Sequence, residues 1–90
     1  MIYRTECDGD TAAKFYRRRH YALEDIARRA AALNGEGQAY LSTSGGDGEE
    51  IDYTAYAYVE DGLLYREIAP DGEKYTVREL PLERYTQRKK

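Results

Sequence analysis

Ile51 to Ile68 carries apolar and aromatic residues on both faces of two extended segments joined at Asp61-Gly62, which reads as a β-hairpin with a two-residue turn. Such a turn sets Tyr58 opposite Tyr65 and Val59 opposite Leu64. Side chains of a strand alternate between its faces, so Ile51, Tyr53, Ala55, Ala57 and Val59 share one face. Asp52, Thr54, Tyr56, Tyr58 and Glu60 share the other. The same period predicts strands over Met1 to Cys7, Gln38 to Ser44 and Lys74 to Leu80, separated by Asp8-Gly9, Gly45-Gly46-Asp47-Gly48 and Pro70-Asp71-Gly72.

Between the first two of these strands the spacing changes. Ala12, Phe15, Tyr16, Leu23, Ile26, Ala27, Ala30 and Leu33 recur three and four residues apart, Asp10 is suited to cap the start, and Asn34-Gly35 is a stop signal. Glu24 with Arg28 and Asp25 with Arg29 stand four apart in the favourable order, each pair adding about 0.2 to 0.5 kcal/mol to an isolated helix. The first half is ambiguous because Arg19 and His20 fall inside the apolar arc. Lys14 to Tyr21 also fits a strand folded back on Met1 to Cys7, which leaves a shorter helix from Leu23 to Leu33. The absence of a Ser, Thr, Asp or Asn cap just before Leu23 favours the long helix.

These elements give an α+β fold, one main helix packed on a mostly antiparallel sheet of four to five strands. Ala55 and Ala57 leave room for a close helix, so Ile51, Tyr53, Val59, Leu64 and Ile68 are expected to face it. Tyr56, Tyr58, Leu63 and Tyr65 are then left on the open face. The register of the last hairpin stays undecided: a two-residue turn sends Tyr75 and Val77 inward, and a three-residue loop sends them outward. Residues 1–82 read as a single domain, Pro81 ends regular structure, and residues 83–90 read as a polar tail.

Composition narrows the class. Ninety residues with ten Tyr, one Phe and no Trp make a thin core. The single Cys7 excludes an internal disulfide and a multi-thiolate zinc site. No run is apolar enough to span a bilayer and the start lacks the plan of a signal peptide, so the chain reads as cytoplasmic with no membrane partner. The net charge is only −3, but it is unevenly spread. Residues 14–34 carry six bases (Lys14, Arg17, Arg18, Arg19, Arg28, Arg29) against Glu24 and Asp25. Residues 35–62 carry seven acids (Glu36, Asp47, Glu49, Glu50, Asp52, Glu60, Asp61) and no base. Such polarity steers charged partners, unless the two segments neutralise each other in the fold.

Candidate chemistry is sparse. His20 has no partner at triad or metal spacing, and Cys7 has no neighbouring histidine. Asp8-Gly9-Asp10 departs from a calcium loop at Ala12, Ala13 and Arg19. The Gly45 loop lacks the Lys-Ser or Lys-Thr of a phosphate loop. The chain therefore reads as a non-enzyme that needs no cofactor.

Tyrosine gives a large, rigid contact with a polar tip and is enriched at interface centres. With acids around it, it can meet a basic surface as a phosphate track would. The expected partner-binding set is Tyr56, Tyr58, Glu60, Asp61, Tyr65, Glu49, Glu50 and Asp52. Short, acidic, cysteine-poor and without a catalytic set, the whole chain resembles at class level the small inhibitor proteins of phages and mobile elements, of anti-CRISPR type. That resemblance implies a protein target in a nucleic-acid-handling complex and assigns no residue roles. Two alternatives stand beside it: a nucleic-acid binder using Arg17, Arg18, Arg19, Arg28 and Arg29, and a homodimer joined through the open face or an edge strand.

Overall fold

The computed structural model describes residues 2–44, 52–69 and 76–86. The described elements, in chain order, are β1 (Ile2–Cys7), β2 (Asp10–Tyr16), α1 (Arg19–Leu33), β3 (Gln38–Ser44), β4 (Asp52–Glu60), β5 (Leu63–Ile68), β6 (Thr76–Leu80) and α2 (Leu82–Thr86). The fold is α+β, with six antiparallel strands in the order β2-β1-β3-β4-β5-β6 and one main helix.

The extra strand is the stretch that the helical spacing had claimed. Residues 10–16 pair back on β1, with Tyr3 opposite Tyr16 and Arg4 opposite Phe15, so a hairpin replaces the first half of the long helix; the strand ends at Tyr16 rather than Tyr21, and the helix starts at Arg19 rather than Leu23. The missing cap was a poor guide: Arg18 precedes the helix in extended conformation with no side-chain cap hydrogen bond. Asp10 uses its carboxylate locally instead, Oδ1 accepting the Ala12 N–H at 2.9 Å within the strand. The far end behaves as its sequence dictates. Asn34 closes the helix at φ 50, its N–H donating to the Ala30 carbonyl, and Gly35 follows at φ +93.

Cross-strand pairing sorts the sheet into two faces. Rows on the helix side run Lys14, Thr5, Leu41, Ala55, Ile68; then Cys7, Ala39, Ala57, Arg66, Arg78; then Val59, Leu64, Leu80. Against them α1 buries Ala22, Asp25, Ile26, Ala27, Ala30 and Ala31. Seven of the twelve residues in this described core cluster are alanine (Ala22, Ala27, Ala30, Ala31, Ala39, Ala55, Ala57), so helix and sheet approach closely but each contact contributes little. Ile26, Leu41 and Leu64 are the largest fully buried apolar side chains.

A buried carboxylate crosses the same interface. Asp25 accepts a 2.6 Å hydrogen bond from Thr5 Oγ1 on β1 and ion pairs from Arg29 at 3.2 Å and Arg28 at 3.4 Å. The expected Asp25–Arg29 pair thus forms, while Glu24 turns away from Arg28 toward Arg66, 3.8 Å off, and accepts from the Tyr85 hydroxyl at 3.0 Å. Tyr85 lies on α2, so residues 83–86 are not a loose tail: Leu82 and Tyr85 pack on the core.

One further expectation changes. Leu41 pairs with Ala55 and the next residue, Ser42, pairs with Tyr53, so Thr54 is an extra residue in β4. This bulge turns Tyr53 onto the open face, 40 % exposed, rather than under the helix. Val77 lies opposite Glu67, exposed on that face, which settles the last register as outward at this position. Residues 45–51 and 70–75, with Ile51, Tyr75 and the expected loop at Gly45 and turn at Pro70, lie outside the described residues.

Candidate functional site

The open face carries three full cross-strand rows. The first is Phe15, Arg4, Ser42, Tyr53; the second Glu6, Tyr40, Tyr56, Glu67, Val77; the third Gln38, Tyr58, Tyr65, Glu79. Five tyrosines therefore stand together on three adjacent strands. Their ring centroids are close: Tyr40 to Tyr53 5.7 Å, Tyr40 to Tyr56 5.7 Å edge-on, Tyr53 to Tyr56 6.3 Å, and Tyr58 to Tyr65 5.7 Å. These separations are those of mutually supporting aromatic pairs, so the patch is preorganised rather than loose.

Two of the rings hold carboxylates. The Tyr58 hydroxyl donates to Glu67 Oε2 at 2.5 Å, and the Tyr40 hydroxyl donates to Asp8 Oδ1 at 2.7 Å. Donation to Glu67, then burial and the charges of Glu67 and Glu60, push the Tyr58 phenol up to about 12. Tyr40 is pushed up to about 12 chiefly by donating to Asp8. Asp8 is held below the usual carboxylate range by Tyr40 first and by the Gln38 N–H second. Gly37 is required here, because a Cβ at that position would meet the Asp8 Cβ at 2.8 Å.

A trough runs past Tyr58. Gln38, Tyr56, Tyr58, Glu60 and Glu67 bound a space of about 360 Å³. A second space of about 290 Å³, lined by Asp8, Gly35, Gly37, Gln38, Tyr58, Val59 and Glu60, adjoins it. Acids dominate this end of the sheet. The base on the described rows of the face, Arg4, is paired with Glu6 at 3.0 Å.

Of the expected partner-binding residues, Tyr56, Tyr58 and Tyr65 lie together on this face, with Glu60 opposite Leu63 at its rim and Asp61 in the adjoining turn at φ 55. Asp52 begins β4 opposite Thr43, while Glu49 and Glu50 lie outside the described residues. Tyr40, Tyr53, Glu67 and Glu79 belong to the same surface and were not in that set. Tyr40 was within reach of the pattern, since it alternates with Ala39 and Leu41. Tyr53 was not, because nothing local marks the bulge.

The arginines form no comparable surface. Arg17 and Arg18 are exposed between β2 and α1, and Arg19 is half-buried in the first turn. Arg28 is exposed but paired with Asp25. Arg29 is only 11 % exposed, held by Asp25, the Ala12 carbonyl and, at 3.8 Å, Cys7 Sγ. Among the described residues no ion pair joins these arginines to the acids of residues 35–62. His20 is exposed and stacks on Tyr21 at 4.1 Å.

Among the described residues, no three His, Cys, Asp or Glu side chains gather as a metal site, and no helix is long and apolar enough to cross a membrane. No family model, no curated protein and no solved structure matches this chain.

Proposed function

We propose that this chain is a non-enzymatic protein-binding module, an inhibitor of anti-CRISPR type that acts in the cytoplasm by occupying a basic, nucleic-acid-handling surface of its protein target. The observation that carries the reading is the open face itself. Five tyrosines and the carboxylates of Glu6, Glu60, Glu67 and Glu79 share it, and its one described base is neutralised by Glu6. Rigid aromatic area supplies the desolvated centre of an interface, and the acids supply complementarity to a partner that ordinarily holds phosphate. Size, acidity and the lack of a catalytic set over the whole chain support the same class.

The test has two steps. The tagged chain captures its partner from the source cell, and the purified partner is then titrated with wild type and with the combined variant Tyr53→Ala, Tyr56→Ala, Tyr65→Ala. Binding should fall by about tenfold or more, since truncated aromatic anchors typically cost above 1 kcal/mol each, while the circular dichroism spectrum at the titration temperature should show the variant still folded. Unchanged affinity would sink the reading. Titration with single- and double-stranded oligonucleotides at two salt concentrations probes the arginine-based alternative, because phosphate contacts weaken steeply with salt. Sedimentation of the purified chain addresses the homodimer.

A further inference from the structure

We infer that the trough bounded by Gln38, Tyr56, Tyr58, Glu60 and Glu67 receives an arginine side chain of the protein partner and forms the anchor of the interface. This rests on the proposed function and names the partner chemistry that its acidic end selects.

The lining fits a guanidinium in three ways. Tyr56 and Tyr58 present aromatic surface, against which a planar cation is attracted by the ring quadrupole. Glu60 and Glu67 stand on neighbouring strands on either side of the Tyr58–Tyr65 pair and both border the one space, and the Gln38 amide adds a neutral acceptor. No residue lining the trough is basic. Glu67 is already oriented, because Tyr58 donates to its Oε2, and an oriented carboxylate suits the forked geometry of a guanidinium. The negative potential is felt locally: the charges of Glu67 and Glu60 both contribute to holding the Tyr58 phenol protonated.

Size and shape argue for a side chain rather than a free cofactor. The volume of about 360 Å³ is at the low end for small-molecule cavities, and the trough opens outward on the sheet face. A group presented from a larger surface can enter it while its own backbone rests on the surrounding tyrosines. Lysine shares the charge but offers neither the plane nor the fork, so arginine is favoured.

The test titrates the isotope-labelled full chain with hexa-arginine, hexa-lysine and hexaglycine peptides, following amide signals. Hexa-arginine should move the signals of Gln38, Tyr56, Tyr58, Glu60 and Glu67 and bind about threefold or more tighter than hexa-lysine, with hexaglycine inert. The double variant Glu60→Gln, Glu67→Gln should bind hexa-arginine about fivefold more weakly. Glu60→Gln alone should lower it by a smaller factor while leaving the Tyr58–Glu67 bond intact. A control of the same single charge change away from the open face, Glu83→Gln on α2 set beside Glu60→Gln, should keep wild-type binding.

Equal loss in the control, equal affinity for lysine and arginine, or shifts mapping elsewhere would each overturn the assignment. So would movement of these signals with protein concentration alone, which would give the trough to a second copy. A partner captured through Tyr53, Tyr56 and Tyr65 by a chain whose trough variants bind arginine peptides normally would remove the anchor and leave the proposed function standing.

Discussion

On β4, Ala55 and Ala57 are fully buried beneath α1, while Tyr53, Tyr56 and Tyr58 of the same strand look outward, with Tyr53 40 % exposed. The usual size order is reversed: small residues lie inside and large ones outside. Alanine lets helix and sheet approach closely, at the cost of a core with little apolar volume per contact. Tyrosine tolerates the outer face because its hydroxyl stays hydrogen-bonded while its ring supplies area. The helix side therefore carries the stability and the open side, on the proposed function, the contact surface, and substitutions on the two should separate those quantities.

The largest effect is expected at Asp25. Removing it by Asp25→Ala leaves the buried Thr5 hydroxyl with only the Lys14 carbonyl at 3.5 Å and takes from Arg29 its counter-charge, and breaking such a buried pair typically costs about 3 to 5 kcal/mol. Urea unfolding would measure it, and a loss near that of an exposed ion pair would show that the two faces are less unequal than their burial implies. Next comes a matched pair of truncations. Leu41→Ala should cost about 2 to 5 kcal/mol through the cavity it leaves. Tyr53→Ala should cost only about 0.5 to 1.5 kcal/mol, the worth of its aromatic contacts. Similar losses from both would break the division between the faces.

The smallest expected effect lies in alkaline titration. Tyr58 and Tyr40 have folded pKa values pushed up to about 12, above the ordinary phenol value of about 10. Their contribution to stability is therefore complete below about pH 10 and is lost as pH rises through about 12. Asp8 acts in the opposite sense. Its folded pKa is lowered, so its contribution is present above the ordinary carboxylate value and is lost as pH falls through the lower folded one. Absorbance titration should show a late-ionising pair of tyrosines, and Glu67→Gln should return Tyr58 toward the ordinary range without moving Tyr40. If Tyr58 already titrates with the exposed rings, the carboxylate it is said to hold is not held.

Where local signals decided the structure, the sequence was legible. Asp61-Gly62 adopts φ 55 and φ +79, a two-residue hairpin turn, and the Tyr58–Tyr65 and Val59–Leu64 pairs follow from it. Asn34-Gly35 ended the helix for an equally local reason. Residues 10–16 were not legible, because Phe15 and Tyr16 sit at helical spacing from the true helix and only pairing with β1 draws them into the sheet. Phe15 then emerges 63 % exposed opposite Arg4, a position no helical stripe predicts. The candidate surface was read in part. Tyr56, Tyr58 and Tyr65 followed from alternation, but Tyr53 joined them through a bulge set by the register of β3, and Glu67 became notable only through its bond to Tyr58. The short α2 had no periodic signal of its own and owes its place to Tyr85 reaching Glu24.

The alanine face of α1 has a mechanical side. Ala22, Ala27, Ala30 and Ala31 form a smooth runner lying on the equally smooth Ala39, Ala55 and Ala57, and such surfaces resist separation better than they resist sliding. Asp25 engaging Thr5 acts as a locating pin on that slide, helping to fix the helix along its axis and in rotation where Ile26, Leu41 and Leu64 are the few bulky side chains among the alanines.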